Sequence, residues 1–202
     1  MKSRKITTNV LVRVALLAVI AAVIKQFGIR LPIFPGFLQL DVSELPAIIG
    51  AVTSGPLVGF LVVLLKNILD PIIFGTNTGG VGNFANFIMG ISLVVPFGIV
   101  FQRRKDTVGY IVASVVGIVS LVIVASLVNY FIMLPLFTRL FMPMETIIGI
   151  ANAVNSNVTD VFTLILFAIV PFNLVKGLLT MILGFALYKG LQPMFRAISR
   201  QQ

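Results

Sequence analysis

The sequence returns repeatedly to apolar runs of bilayer-spanning length, such as "NVLVRVALLAVIAAVIKQF" and "TVGYIVASVVGIVSLVIVASLVNYFIML". About 20 such residues cross a hydrocarbon layer as a helix, which satisfies every backbone polar group internally. With 58% hydrophobic and 10% charged residues among 202, one soluble core could not hide that surface, so lipid must solvate much of the exterior. The runs lack the strict apolar/polar alternation of a barrel strand. They predict an all-α membrane protein.

Residue types narrow the function classes. The chain has no Cys and no His, which excludes disulfides, thiol nucleophiles, the usual zinc sites and histidine general bases. No Gly-Lys followed by Ser or Thr occurs, so there is no P-loop and any pumping must be energised by another chain. The halves do not read as inverted repeats built on broken helices, which argues against a self-sufficient secondary transporter. The net charge of +9 sits at the ends of apolar runs, so it reads as membrane orientation rather than nucleic-acid binding. "MKSRK" leads into an apolar run with no small-residue cleavage site and reads as the start of a retained first span.

Six transmembrane helices are expected in one domain, at about 9–27, 43–54, 55–70, 82–101, 107–136 and 171–191. "GIRLPIFPGFLQL" cannot continue a helix because Pro32 and Pro35 interrupt it, and with Asp41 it forms loop one. "DVSELPAIIGAVTSGP" restarts helix with Asp41 or Ser43 as N-cap, and breaks again at "TSGP". "GTNTGGVGN" reads as turn chemistry with Asn83 capping a helix that opens near Gly82.

The stretch "PFNLVKG", residues 171–177, decides where the last helix begins. As first residue of a helix Pro171 loses nothing; inside one it loses a hydrogen bond and kinks the chain. The reading adopted starts the helix at Pro171 and leaves "TDVFTLILFAIV" as a separate short apolar segment. The alternative is one kinked helix from Asp160. With both termini on one side, Lys2, Arg4, Lys5, Arg103, Arg104, Lys105, Lys189, Arg196 and Arg200 oppose Lys25, Arg30 and Arg139. The positive-inside bias makes the terminal side cytoplasmic and puts Asn173 and Lys176 near the outer mouth.

Polar groups at membrane depth need partners, so each is a candidate. Asn129, Asn173 and Lys176 are on the outward half, with Asn173 and Lys176 on one helix face at i and i+3. Gly79, Gly80, Asn83 and Asn86 lie at the same level. Structural roles compete: Lys66 and Asp70 at i and i+4 fit an ion pair, and Asp41, Ser43 and Glu44 fit helix capping. Neutral amides with one lysine, framed by Phe, Leu and Pro, suit a flat, uncharged, polar-edged small molecule. With no nucleophile, base or metal cluster, catalysis is not expected.

In order along the chain, "LDVSELPAIIGAVTSGPLVGFLVVLLKNILD", "GTNTGGVGNFANFIMG", "NYFIMLP" and "PFNLVKG" resemble the riboflavin-binding S components (RibU family) of bacterial energy-coupling factor (ECF) transporters. The resemblance implies a six-helix subunit of the bacterial cell membrane that captures riboflavin from outside. It implies partnership with a coupling membrane protein and two ABC-type ATPases, riboflavin being cargo and no cofactor being needed. The residues matching the family's flavin contacts are Asn129, Asn173 and Lys176; Leu40 and Asp41 of loop one, and Gly80 and Asn83 of the "GTNTGGVGN" loop, are expected to line or cover the pocket. Small residues of the first helix, Ala15, Ala18 and Ala22, match the strip that packs on the coupling protein, as close helix approach in lipid requires. The alternative keeps the architecture with another vitamin or a purine-like ligand.

Overall fold

Proline and glycine set most of the helix boundaries. The computed structural model describes residues 7–199, with side chains described through residue 190. Lys2, Arg4, Lys5 and Arg200 of the charge argument lie outside the described residues, as does the side chain of Arg196. Among the described residues the fold is all-helical, apart from one antiparallel bridge between Ile29 and Leu40.

Helix α1 is Thr8–Gln26. After the long loop, α2 (Leu45–Ser54) carries a proline in its first turn, where no hydrogen bond is lost. Gly55, at φ 104°, ends it in a conformation that a side chain would strain. Pro56 then opens α3, Pro56–Phe74, directly. Next come α4, Val81–Arg103, α5, Thr107–Leu140, α6, Met144–Asn152, and α7, continuous over 161–199.

Two proline problems are solved the same way. In α5 a π-helical segment, Asn129–Met133, precedes Pro135. In α7 another, Ile165–Ile169, precedes Pro171. A proline inside an α-helix removes one main-chain bond and clashes with the carbonyl four residues back; a π turn widens the backbone there. The start at Pro171 is thus corrected, and "TDVFTLILFAIV" is the first part of α7 rather than a separate segment. α5 likewise runs past residue 136, to Leu140, and α3 passes Asp70 with Pro71 inside its last turn.

By length and composition α1, α3, α4, α5 and residues 161–190 of α7 suit membrane spans, while α2 is shorter. Its ten residues reach only about 15 Å. It is apolar on all sides because it is enclosed: Leu45, Ala47, Ile48, Ala51 and Val52 are buried, with α1, α3, α4 and α7 around it. Loop one meets it inside the bundle, where Phe34, Leu40 and Asp41 are buried and Asp41 accepts from Lys176 of α7.

The main core joins Val14, Ala18 and Ala21 of α1 to Ala47, Ile48 and Ala51 of α2, Val62 and Val63 of α3, and Leu93 and Phe97 of α4. Ala18 and Ala22 are fully buried in the chain itself, so they do not form a partner-facing strip; of the three alanines only Ala15 reaches the surface. Leu11, Val12, Leu16, Val19, Ile20 and Val23 make up the outward face of α1.

Candidate functional site

Helix lengths put the polar residues deep. Lys66 lies about 15 Å along α3 from Pro56, which matches the length of α2, so the start of α2 and Lys66 meet at one level. Asn173 and Lys176 lie about 18 and 22 Å along α7 from Val161, and Asn129 about 16 Å from the Leu140 end of α5. They are therefore well inside the bundle, not at its mouth as a start at Pro171 would require.

At that level the charged groups close into a ring. The Lys176 ammonium donates to Asp41 Oδ2 at 2.9 Å and lies 3.7 Å from Glu44 Oε2. Asp41 Oδ1 accepts from the Ser43 backbone N–H at 2.9 Å and from the Ser43 hydroxyl. That hydroxyl accepts from Lys66 Nζ at 2.8 Å, and Lys66 also donates to Glu44 Oε1 at 2.7 Å. Asn86 Oδ1 stands 3.5 Å from the same ammonium. Two ammoniums and two carboxylates cancel, which is what makes them tolerable at this depth. Lys66 is 0% exposed and Lys176 7%, so both are buried and Lys176 is the less enclosed of the two.

α4 makes room for the ring: a Cβ at Gly90 would come within 2.7 Å of Val63 and 3.4 Å of Glu44 Oε1.

A second polar layer lies one turn further out. Asp70 accepts from Lys25 and from Gln26 at 2.5 and 2.6 Å, and from Asn83. It ties the end of α1 to α3 and to the first turn of α4. Lys66 thus does not pair with Asp70, and Asn83 is not a cap; Gly80, in the left-handed region, holds the N-cap position. Nor do Asp41, Ser43 and Glu44 cap α2 with a side-chain hydrogen bond: Glu44 is the N-cap residue without one. The lysines take Asp41 Oδ2, the Ser43 hydroxyl and Glu44 Oε1, while Asp41 Oδ1 accepts from Ser43, ahead of the helix.

The two asparagines are arranged alike. Asn129 Nδ2 donates to Ala125 O and Asn173 Nδ2 to Ile169 O, each at 2.8 Å. Ala125 and Ile169 share one buried cluster with Ile165 and Ala168, so both amides are held at the same level where the π segments pack together. Each amide keeps Oδ1 and a second hydrogen for another partner. Leu40 packs with Phe34 and Phe172, whose rings meet edge to face at 5.3 Å, which seats loop one beside Asn173. Leu40, Asp41, Asn173 and Lys176 are therefore brought together. Gly80 and Asn83 belong instead to the outer layer.

Glu44 and Lys66 are the members of the ring whose place was not anticipated. The available signal was charge balance: two acids at 41 and 44 match two lysines at 66 and 176. Among the described residues no group of three or more acidic ligands forms a metal site. Chemically, the arrangement offers one cationic donor, two amides and apolar side chains, groups suited to holding a molecule rather than transforming it.

Comparison with known proteins gives one answer. Residues 9–188 match the family model described as ECF transporter, substrate-specific component. The riboflavin transporter RibU of Staphylococcus aureus is 30% identical over 93% of both chains. The riboflavin transporter FmnP of Bacillus subtilis is 32% identical over 91% of this chain and 92% of its own. A solved S component of a bacterial ECF transporter superposes with a TM-score of 0.73 at 28% identity, covering 93% of this chain and 97% of that one.

Proposed function

This chain belongs to the substrate-specific components of ECF transporters, a family of transporter subunits rather than enzymes, and from that premise we propose that it captures riboflavin for uptake driven by a separate energising module. Two relatives that it matches over nearly their whole length are named riboflavin transporters. The observation that carries the reading is the shared level of Asn129 and Asn173, with Lys176, the less enclosed ammonium of a neutral ring, one turn beyond Asn173 on the same helix. A carboxamide pairs with an imide edge through one donor and one acceptor, and a lysine donates to a ring carbonyl. Phe34, Leu40 and Phe172 offer apolar contacts to a flat heterocycle.

In this reading six spans cross the membrane with both termini cytoplasmic, and the pocket is reached from outside. Asn129, Asn173 and Lys176 contact the flavin, with Leu40 and Asp41 of loop one over it. Gly80 and Asn83 shape the rim rather than the floor. The partners are a coupling membrane protein, met by the outward face of α1 that includes Ala15, and two ABC-type ATPase subunits. The absence of a P-loop sequence from the chain fits that division of labour.

Titrating detergent-purified protein with riboflavin while following flavin fluorescence tests the reading. Saturable quenching is expected, and Asn173→Ala or Lys176→Ala should each weaken it about ten- to hundredfold, the worth of one buried hydrogen bond at this kind of site. Absence of saturation, or unchanged affinity in both variants, overturns it. A competition series with other vitamins and purines separates riboflavin from the alternative ligands.

A further inference from the structure

Lys66 has no role in the riboflavin reading, yet it is among the largest fully buried side chains, lying in the middle of α3. Its contacts are all to the ring: Ser43 Oγ at 2.8 Å, Glu44 Oε1 at 2.7 Å and Asn86 Oδ1 at 3.5 Å. Ser43 in turn binds Asp41 Oδ1, and Asp41 Oδ2 holds Lys176. Glu44 closes the circuit through its other oxygen, 3.7 Å from Lys176 and otherwise without a hydrogen-bond partner.

We propose that Lys66 is a positioning residue for ligand binding, acting through Ser43, Asp41 and Glu44 to fix where the Lys176 ammonium sits and how freely it can turn toward a ligand. This rests on the reading that Lys176 contacts riboflavin. The physical argument is one of partner sharing. Lys176 can turn its donors to a ligand carbonyl only if Asp41 and Glu44 are otherwise compensated, and Lys66 with Ser43 provides that compensation from behind. Without Lys66 two carboxylates would converge on a single ammonium, which would bind them and be withdrawn from the ligand. The ring also stays neutral, so an uncharged ligand meets a donor without a net charge to neutralise.

Lys66→Met is the direct test, in the full chain in detergent, with riboflavin as probe. The expected result is about a ten- to hundredfold loss of affinity, with the absorption spectrum of bound flavin shifted in the direction seen for Lys176→Met. In an Asp41→Asn background the same change should cost less than about threefold, because the hydrogen-bonded link to Lys176 is cut and only the longer Glu44 contact at 3.7 Å remains. The melting temperature should fall less in the Asp41→Asn background, where removing Lys66 restores charge balance, so the flavin spectrum is the readout that a merely structural lysine would not shift. If Lys66→Met does not fold, Lys66→Gln, which keeps a donor toward Ser43 and Glu44 but removes the charge, takes its place in the same cycle. Unchanged affinity, or an equal loss in both backgrounds, overturns the proposal. If the unmutated chain fails to bind riboflavin at all, it is the riboflavin reading that falls, which keeps the two failures apart.

Discussion

Glu44 illustrates how a single residue in this bundle depends on its surroundings. Its carboxylate is 1% exposed and faces Lys66 at 2.7 Å and Lys176 at 3.7 Å. Glu44→Ala would leave two ammoniums facing one carboxylate in a dry interior, and breaking a buried pair in this way costs about 3–5 kcal/mol. The expected outcome is a marked drop in melting temperature in detergent. Glu44→Gln combined with Lys66→Met, which removes the pair as a unit and keeps volume, should lose distinctly less. Equal losses would mean that packing rather than charge compensation stabilises this layer. At this scale the sequence showed which residues are expensive but not their partners. The carboxylate nearest Lys66 along the α3 face is Asp70, at i+4, yet Lys66 bonds to Glu44, 22 positions upstream, while Asp70 is taken by Lys25, Gln26 and Asn83. Local spacing ranks neighbours on one helix and says nothing of a loop that descends from another.

Among the elements, the π segments before Pro135 and Pro171 have the most direct bearing on the site, because each adjoins one of the asparagines. The accommodation of Pro171 can be tested by removing its cause. Pro171→Ala restores an N–H and lets 165–171 close into an ordinary α turn, so the melting temperature should hold or rise by a few degrees. Riboflavin affinity should fall several-fold, since Asn173 is anchored on Ile169, the last residue of the π segment. A raised melting temperature with full affinity would mean that the π turn serves the proline alone. The apolar runs made the helices legible, and proline marked the correct places of stress in them. Its consequence was misjudged because the rule against an interior proline assumes α geometry. One widened turn relieves the clash and lets α7 continue, which moves the site from the mouth of the bundle to its interior. The brevity of α2 was visible too, but what completes it, a loop threaded down to Asp41 and Glu44, depends on contacts with α3 and α7 that no local pattern encodes.

For the whole molecule, capture from outside requires that the end of the bundle carrying loop one face outward. Arg103, Arg104 and Lys105 form an exposed basic turn between α4 and α5, whereas the turn between α3 and α4, with Thr76 exposed, carries no charge. Basic turns are retained on the cytoplasmic side, so the first is expected inside and the second outside. Because the chain has no Cys, a single introduced thiol reports its own side without background. Thr76→Cys should react with a membrane-impermeant maleimide in intact cells, and Arg104→Cys only after permeabilisation. Replacing Arg104 breaks just its exposed pairing with Asp106, which contributes little to stability. Loop one and the α3–α4 turn lie at the same end of the bundle, since Lys25 and Gln26 at the end of α1 meet Asp70 near the end of α3 and Asn83 in the first turn of α4. The Thr76 label therefore also reports the side from which loop one descends to Asp41. The opposite labelling pattern would open the pocket to the cytoplasm, and capture from outside would then fail whatever the ligand.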